Sequence, residues 1–124
     1  MAKKLAEKVA RGTLKEALGR ISERLAKSKA MKPGDIVFRL DGQGGGNFVI
    51  ECSEKGVHVS ESAAAGADRT PLVEVIGDAR RIHAILAGTK DAREQFLAGG
   101  FRVRGDLRYL SNVAMEVGII KDPL

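Results

Sequence analysis

Cysteine and aromatic residues are scarce in this sequence, and their scarcity argues against several classes of protein. The 124 residues include a single cysteine, Cys52, so no disulfide can form within the chain, and a reducing compartment is favoured. Aromatic residues make up only 4% of the chain, and tryptophan is absent. Because proteins that stack nucleic-acid bases need aromatic surface, the composition argues against nucleic-acid binding.

A long hydrophobic run is also missing. No segment approaches the ~20 consecutive apolar residues of a membrane-spanning helix, and the charged residues 1–12 do not contain the apolar stretch of a signal peptide. The C-terminal residues KDPL match no retrieval, peroxisomal or prenylation signal. With 44% hydrophobic and 30% charged residues, the chain is predicted to be a globular, cytoplasmic protein with the size of one domain.

The positive charge is concentrated near the N-terminus. Residues 1–34 contain ten Lys or Arg and three Glu, a net charge of +7, whereas residues 35–124 contain eleven basic and thirteen acidic residues, a net charge of −2. A basic segment of this kind is typical of proteins that contact an acidic partner or an anionic membrane. It also arises when one face of a helix is simply solvated, and the charge pattern leaves both interpretations open.

The first regular element is predicted to be an amphipathic helix from residue 14 to about Ala30. Thr13 and Glu16 have the spacing of a capping box, which satisfies backbone N–H groups at a helix start. Pro33 ends the helix because it disfavours helical geometry at the residue before it. The apolar positions recur at helical spacing: Leu14, Ala17, Leu18, Ile21 and Leu25.

Beyond this helix, the hydrophobic period changes to two. Alternating apolar and polar residues predict five strands, at residues 36–40, 48–52, 57–60, 71–77 and 101–104. Three further helices follow the candidate N-caps Asp78, Asp91 and Asp106. A run of strands with helices around it predicts an α+β fold, with a mostly antiparallel sheet covered on one face by helices. We assign residues 1–33 to a basic N-terminal helical region and residues 34–124 to one compact domain.

The glycine-rich stretch LDGQGGGNF, residues 40–48, has two interpretations. Gly42 and Gly44 begin a dinucleotide-binding pattern, but Asn47 stands where its third glycine is needed, and no Lys-Ser or Lys-Thr pair follows as in a P-loop. Such loops also lead into a helix, whose N-terminus binds the phosphate. Because this stretch leads into a strand, a flexible hairpin connection is predicted instead of a nucleotide site.

Residues typical of catalysis or metal binding are few. Cys52 and His58 are close enough in sequence to be neighbours across a hairpin, but a zinc site needs further ligands, and none is evident. Cys52 alternates with Phe48 and Ile50, which predicts a buried, unreactive thiol. No pairing of a nucleophile with a histidine is recognisable. We therefore predict a protein without enzymatic activity, bound metal or cofactor.

Several short motifs follow one another along the chain. After the segments IVFRL and FVIECSEKGVHVS, they are Ala67-Asp68 with Thr70, Leu86 with Gly88, Phe96 with Gly99, and Arg102-Val103-Arg104-Gly105-Asp106. In their order and spacing, over about residues 34–120, they resemble the sterol carrier protein type two family. The resemblance implies a five-stranded sheet covered by helices, with an apolar tunnel that holds sterols, fatty acids, acyl-CoA or phospholipids. Bacterial relatives act as accessory lipid-binding factors, for example in ubiquinone biosynthesis.

On this basis we expect a non-catalytic module that transfers or presents a hydrophobic ligand, either a lipid or a quinone. The resemblance favours the last helix as one wall of the tunnel, where Tyr109 would place its hydroxyl at the mouth. Arg102 and Arg104 are expected to face water. Each candidate for the tunnel lining has plain core packing as its alternative: Phe38, Phe48, Ile50, Val75, Phe101, Val103, Leu110, Val113, Ala114 and Val117.

Two other functions compete with lipid binding. An interaction or scaffold protein would use the helix at residues 14–30 to dock on an enzyme partner or on an anionic membrane, with lipid binding secondary. The amphipathic pattern does not distinguish a Leu/Ile face packed on its own domain from one inserted in a membrane. Nucleic-acid binding by the basic segment is disfavoured by the few aromatic residues and the acidic remainder of the chain.

Overall fold

A five-stranded β-sheet forms the centre of the fold, in a computed structural model that describes residues 13–61 and 70–124. The strands are β1 (Gly34–Asp41), β2 (Gly46–Ser53), β3 (Gly56–Glu61), β4 (Val73–Asp78) and β5 (Phe101–Gly105). Their order across the sheet is β3–β2–β1–β4–β5. The central pair, β1 and β4, is parallel and the other three pairs are antiparallel, so the sheet is mostly antiparallel, as predicted.

Four helices occur in the described part of the chain. They are α1 (Leu14–Leu25), α2 (Ala79–Leu86), α3 (Ala92–Leu97) and α4 (Leu107–Glu116). Each begins after the N-cap that the sequence predicts, because the side chains of Thr13, Asp78, Asp91 and Asp106 each accept the backbone N–H three residues ahead. Among the described residues, no helix has the length and apolar character needed to cross a membrane.

One face of the sheet carries the hydrophobic core and the helices that cover it. Phe38 on β1 lies between Phe48 on β2 and Val75 on β4, and all three side chains are buried in one cluster with residues of the helices. Because side chains alternate along a strand, every second residue of each strand points to this helix-covered face. The predicted α+β class, with helices on one face of the sheet, is confirmed.

The opposite face of the sheet has only a small apolar centre. Val37 and Val49 are cross-strand partners there and form a separate buried pair. Arg102 and Arg104 on β5 point to the same face and are exposed, so they face water as predicted.

The glycine-rich stretch is a hairpin turn, as predicted. The N–H of Gly45 donates to the carbonyl oxygen of Gly42 at 3.0 Å and closes the turn between β1 and β2. Gly42 and Gly44 both have φ of 80°, a backbone geometry that glycine adopts without steric cost. The stretch leads into β2 and not into a helix, so it lacks the geometry of a phosphate-binding loop.

The first helix is shorter than predicted and belongs to the core. It ends at Leu25 and not near Ala30. The Ser28 hydroxyl accepts the N–H of Ala30 at 3.0 Å, and this local bond competes with the helical pattern. Leu18 and Leu25 are fully buried in the same cluster as the sheet, so the apolar face of α1 packs on its own domain. The helical character predicted for residues 1–12 lies outside the described residues.

Tyr109 on α4 is buried, with 1% of its surface exposed, so the predicted position of its hydroxyl at a tunnel mouth is wrong. The hydroxyl accepts the N–H of Lys32 at 3.1 Å and donates to the carbonyl oxygen of the same residue at 3.4 Å. Phenols are readily buried where the hydroxyl finds such partners. Burial raises the pKa of Tyr109 to about 12. The side chain therefore ties α4 to the segment between α1 and β1.

Replacement of Leu18 with Ala tests whether α1 is part of the core. Because the side chain is fully buried, we expect the free energy of unfolding to fall by about 2–5 kcal/mol, measured by chemical denaturation. The same change at Leu97, which is 69% exposed, is the matched control and should alter stability by less than about 0.5 kcal/mol. Equal losses for the two variants would contradict the packing of α1 in the core.

The pH dependence of stability tests the burial of Tyr109. The chain has one Tyr and no Trp, so the ultraviolet absorbance of tyrosinate reports this residue alone. A folded-state pKa of about 12, above the usual value of ~10, means that folding favours the neutral phenol. This contribution is complete below pH ~10 and is lost as the pH rises through about 12. We expect tyrosinate to form near pH 12 or together with unfolding, and near pH ~10 in a urea-denatured control. A midpoint near pH 10 in a chain still folded by circular dichroism would argue against burial.

Candidate ligand-binding cavity

An apolar cavity of about 80 Å³ lies between the sheet and the helices. Strands β1, β2, β4 and β5 form its floor. All four described helices and the segment after α4 form its other walls. Every residue that lines it is apolar, so the space offers van der Waals contact and no charged or hydrogen-bonding side chain.

Most of the candidate residues from the sequence meet at this cavity. The strands contribute four of them and the last helix, with the residue after it, contributes the other four: Phe38, Ile50, Val75, Phe101, Leu110, Val113, Ala114 and Val117. The last helix is therefore one wall of the space, as the resemblance implied. Contact of these residues with a ligand stays a prediction.

Three of the candidate residues lie elsewhere. Phe48 is buried but lines a different groove beside the β1–β2 hairpin, whose lining is partly charged. Val103 is only partly buried and packs against the core from the strand at the sheet edge. Tyr109 is held by its bonds to Lys32. All three share the apolar face of their element with true lining residues, so the sequence pattern could not separate them.

The cavity wall also contains residues that the sequence analysis did not propose. Ile82, Ile85 and Leu86 form the apolar stripe of α2, a stripe that the sequence shows but that is equally typical of core packing. Ile21 likewise belongs to the apolar stripe of α1. The other four carry no periodic signal or a weak one: Ala92, Ile119, Ile120 and Leu124. The last three follow α4 in an irregular segment, whose position is fixed by tertiary contacts alone.

The size of the cavity limits what it can hold in this conformation. At about 80 Å³, it has roughly half the volume of the ~150 Å³ apolar cavity that accepts benzene in another protein. A long hydrocarbon chain therefore fits only after part of the wall moves.

The segment that follows α4 is an irregular part of the wall, and its first residues bond back to α4 through the N–H groups of Gly118, Ile119 and Ile120. The N–H of Leu124 donates to the Ser111 hydroxyl at 2.9 Å, and the Arg93 side chain donates to the carbonyl oxygen of Pro123 at 3.2 Å. Ile119 lines the cavity but is only partly buried. Segments with few buried contacts open locally at low free-energy cost.

Cys52 and His58 lie on opposite faces of the sheet, so they are not neighbours. Cys52 pairs with Val57 on the core side, whereas Glu51 pairs with His58 on the other side. Burial raises the pKa of the Cys52 thiol, and a hydrogen bond with Tyr109 offsets part of this rise. The thiol is thus buried, as predicted, and its raised pKa favours the protonated form, whereas its lack of reactivity stays a prediction. No three His, Cys, Asp or Glu side chains of residues 13–61 and 70–124 are grouped to hold a metal ion.

Comparison with known sequences identifies the family. A family model described as the SCP-2 sterol transfer family matches residues 14–115, which is most of the chain. The match extends from the first residue of α1 to the last turn of α4, so it covers parts of every helix and strand that lines the cavity but not the segment after α4. It also covers the Ala67-Asp68 motif, which lies outside the described residues. None of the curated proteins compared with the sequence matches it.

Solved structures share the fold. Sterol carrier protein 2 from Yarrowia lipolytica, in its apo form, has a TM-score of 0.61 and 16% identity over 91% of this chain and 94% of its own. The Aedes aegypti sterol carrier protein 2 in complex with palmitate has a TM-score of 0.60 and 18% identity over 82% and 91%. The ubiquinone synthesis protein UbiJ-SCP2 has a TM-score of 0.58 and 16% identity over 80% and 87%.

At these identities the solved structures establish the fold alone, and the family assignment rests on the sequence match. That match covers the helices and strands that enclose the apolar cavity. The chain therefore belongs to the SCP-2 sterol transfer family.

Proposed function

We propose that the protein binds a hydrophobic ligand in the apolar cavity and transfers or presents it in the cytoplasm, without catalysing a reaction. The ligand would be a sterol, fatty acid, acyl-CoA, phospholipid or quinone. The lining of the cavity is the observation that supports this most directly, because it is entirely apolar. Such a lining suits a hydrocarbon ligand and supplies no general acid, base or nucleophile.

A fatty acid is the ligand to test first. The Aedes aegypti sterol carrier protein 2, which has the same fold, was solved in complex with the C16 fatty acid palmitate. The fold similarity by itself does not transfer that ligand to this chain. It does make palmitate a reasonable probe of an apolar cavity, since each CH₂ moved from water into such a space contributes ~0.8 kcal/mol.

Exchange with membranes would follow from the same energetics. A lipid that already lies in a bilayer gains little free energy on moving into an apolar cavity, because both environments exclude its chain from water. Uptake and release are then nearly balanced, which is what a carrier requires. No metal or covalent step is needed.

Uptake also requires the cavity to widen. The carbonyl oxygen of Val117 accepts a hydrogen bond from the Arg24 side chain at 3.1 Å, which holds the end of α4 against α1. Beyond this point, residues 118–120 bond to carbonyl oxygens of α4, and Pro123 and Leu124 form one hydrogen bond each with Arg93 and Ser111. We therefore infer that residues 118–124 move to admit the ligand, while the helices stay packed on the sheet.

A second candidate function is docking through the polar face of α1. Its apolar face is buried in the core, so this helix cannot insert in a bilayer without leaving the domain. Residues 13–33 contain six Lys or Arg and two Glu, which favours electrostatic contact with an anionic membrane or an acidic protein. A protein of the same fold takes part in ubiquinone synthesis, which makes delivery of ligand to an enzyme a reasonable variant of this function.

Ala114→Leu tests whether the cavity is the ligand site. Ala114 is buried on α4 and lines the cavity, so three additional carbon atoms would fill space that the ligand needs. We expect the affinity for palmitate, measured by calorimetric titration and native mass spectrometry, to fall at least about tenfold, with thermal stability maintained because a void is filled.

The matched control for this change is Ala26→Leu. Ala26 is exposed just after α1, so the same side chain is added outside the cavity, and binding should be unchanged. If the Ala114 variant binds palmitate as well as the wild type does, the cavity is not the site.

Loss of charge tests the docking function. Lys27 and Lys29 are exposed, and each basic residue near an anionic surface contributes about 1 kcal/mol. We expect the partition constant of a Lys27→Gln and Lys29→Gln double variant on phosphatidylserine vesicles, measured by flotation, to be about thirtyfold lower than that of the wild type. Salt should weaken the binding of both proteins. Arg102→Gln with Arg104→Gln removes two exposed charges from the opposite face of the sheet and should have little effect. Equal losses for the two variants would mean that the α1 region is not the docking surface.

A further inference from the structure

A groove of about 470 Å³, lined by charged, polar and apolar side chains, lies where the start of α1, the tip of the β1–β2 hairpin and the start of α2 meet. We call it the head-group groove. Its described lining residues include Lys15 on α1, Gln43 on the hairpin, and Arg80 and His83 on α2. None of its described lining residues also lines the apolar cavity, so the two spaces are distinct.

The side chains of the groove suit an anion. The Lys15 ammonium and the Arg80 guanidinium are both exposed, and neither forms an ion pair within the described part of the chain. Gln43 adds an amide, His83 adds an imidazole, and Glu61 is the one carboxylate among the described lining residues. The groove is therefore positively charged on balance. Guanidinium and ammonium groups bind carboxylates and phosphates by charge-assisted hydrogen bonds.

The head-group groove and the apolar cavity adjoin each other through shared elements. Phe48 lines the groove, and its cross-strand partner Phe38 lines the cavity, so one pair of neighbouring side chains spans the two spaces. On α2, Arg80 and His83 line the groove, whereas Ile82 lines the cavity. On α2, polar and charged side chains that line the groove thus lie beside an apolar side chain that lines the cavity.

We propose that the protein selects lipids that have a compact anionic head group, either a carboxylate or a phosphate. This group binds in the head-group groove while the lipid's hydrocarbon chain occupies the apolar cavity. The inference rests on the proposed function, because it needs a hydrocarbon chain in the cavity. Lys15 and Arg80 are the residues that recognise the head group, and Phe48 is the boundary that the ligand crosses.

The groove is selective because the head group that it binds is covalently joined to a hydrocarbon chain held in the cavity. Exposed charge pairs contribute little, at most about fivefold in affinity for each pair, so a free anion has little affinity for the groove. A lipid anchored in the cavity presents its head group at a high effective concentration, and the same weak contacts then distinguish one head group from another.

The test compares three ligands with the same C16 chain: palmitate, hexadecyl phosphate and hexadecanol. We expect the wild-type chain to bind palmitate or hexadecyl phosphate about three- to tenfold more tightly than hexadecanol, measured by calorimetric titration below the critical micelle concentration. A Lys15→Gln and Arg80→Gln double variant should lose this preference and keep its affinity for hexadecanol. Both residues are exposed, so the variant should fold, and circular dichroism checks this.

Arg102→Gln with Arg104→Gln is the matched control, because it removes two exposed charges from the sheet face opposite the cavity. Equal affinity for the three ligands, or equal loss of preference in the two double variants, would overturn the head-group site while binding of hexadecanol leaves the cavity proposal intact. Failure of all three ligands to bind would defeat the proposed function and this inference together. Displacement of palmitate by an equal concentration of inorganic phosphate would also overturn it, because the groove would then be an independent anion site.

Discussion

The apolar face of the sheet is removed from water by helices of unequal length, and this inequality determines where the cavity lies. Helix α1 has 12 residues and lays a nearly continuous row of buried side chains against β2 and β3. Over β4 and β5 the covering helices are shorter, with 8 residues in α2, 6 in α3 and 10 in α4. Their side chains do not fill the space above the sheet, and the cavity is what remains. The coverage that stabilises the fold therefore also forms the cavity proposed to hold the ligand.

The parts of the fold that depend on local chemistry could be predicted from the sequence. Each helix is capped by a side chain that accepts the backbone N–H of the third residue ahead, so a few adjacent residues of the sequence are enough to identify the cap. These caps are Thr13, Asp78, Asp91 and Asp106. The alternation of apolar and polar residues over four or five positions likewise predicts each strand and the face of it that points to the core. The early end of α1 escaped prediction because it depends on the direction in which the Ser28 hydroxyl points.

The cavity could be predicted only in part, because lining a space and packing in a core leave the same pattern in a sequence. Phe38 and Phe48 are both phenylalanines on the core face of adjacent strands, yet Phe38 lines the cavity and Phe48 lines a separate, partly charged groove. Tyr109 was misplaced for a related reason, since its partner is a backbone segment far away in sequence. Leu124 lines the cavity from an irregular segment, whose sequence has no helical or strand periodicity that could predict its position.

The parallel pairing of β1 with β4 also has a consequence for biosynthesis. Strands β1, β2 and β3 are joined by tight turns and follow α1 directly, so this half of the sheet can form from local contacts as it leaves the ribosome. Until β4 is made, one edge of β1 has no partner, and the apolar side chains beside it have no cover. The nascent chain thus passes through a stage at which an apolar surface is exposed and aggregation-prone and the cavity is not yet enclosed. A chaperone would protect the chain most effectively at this stage.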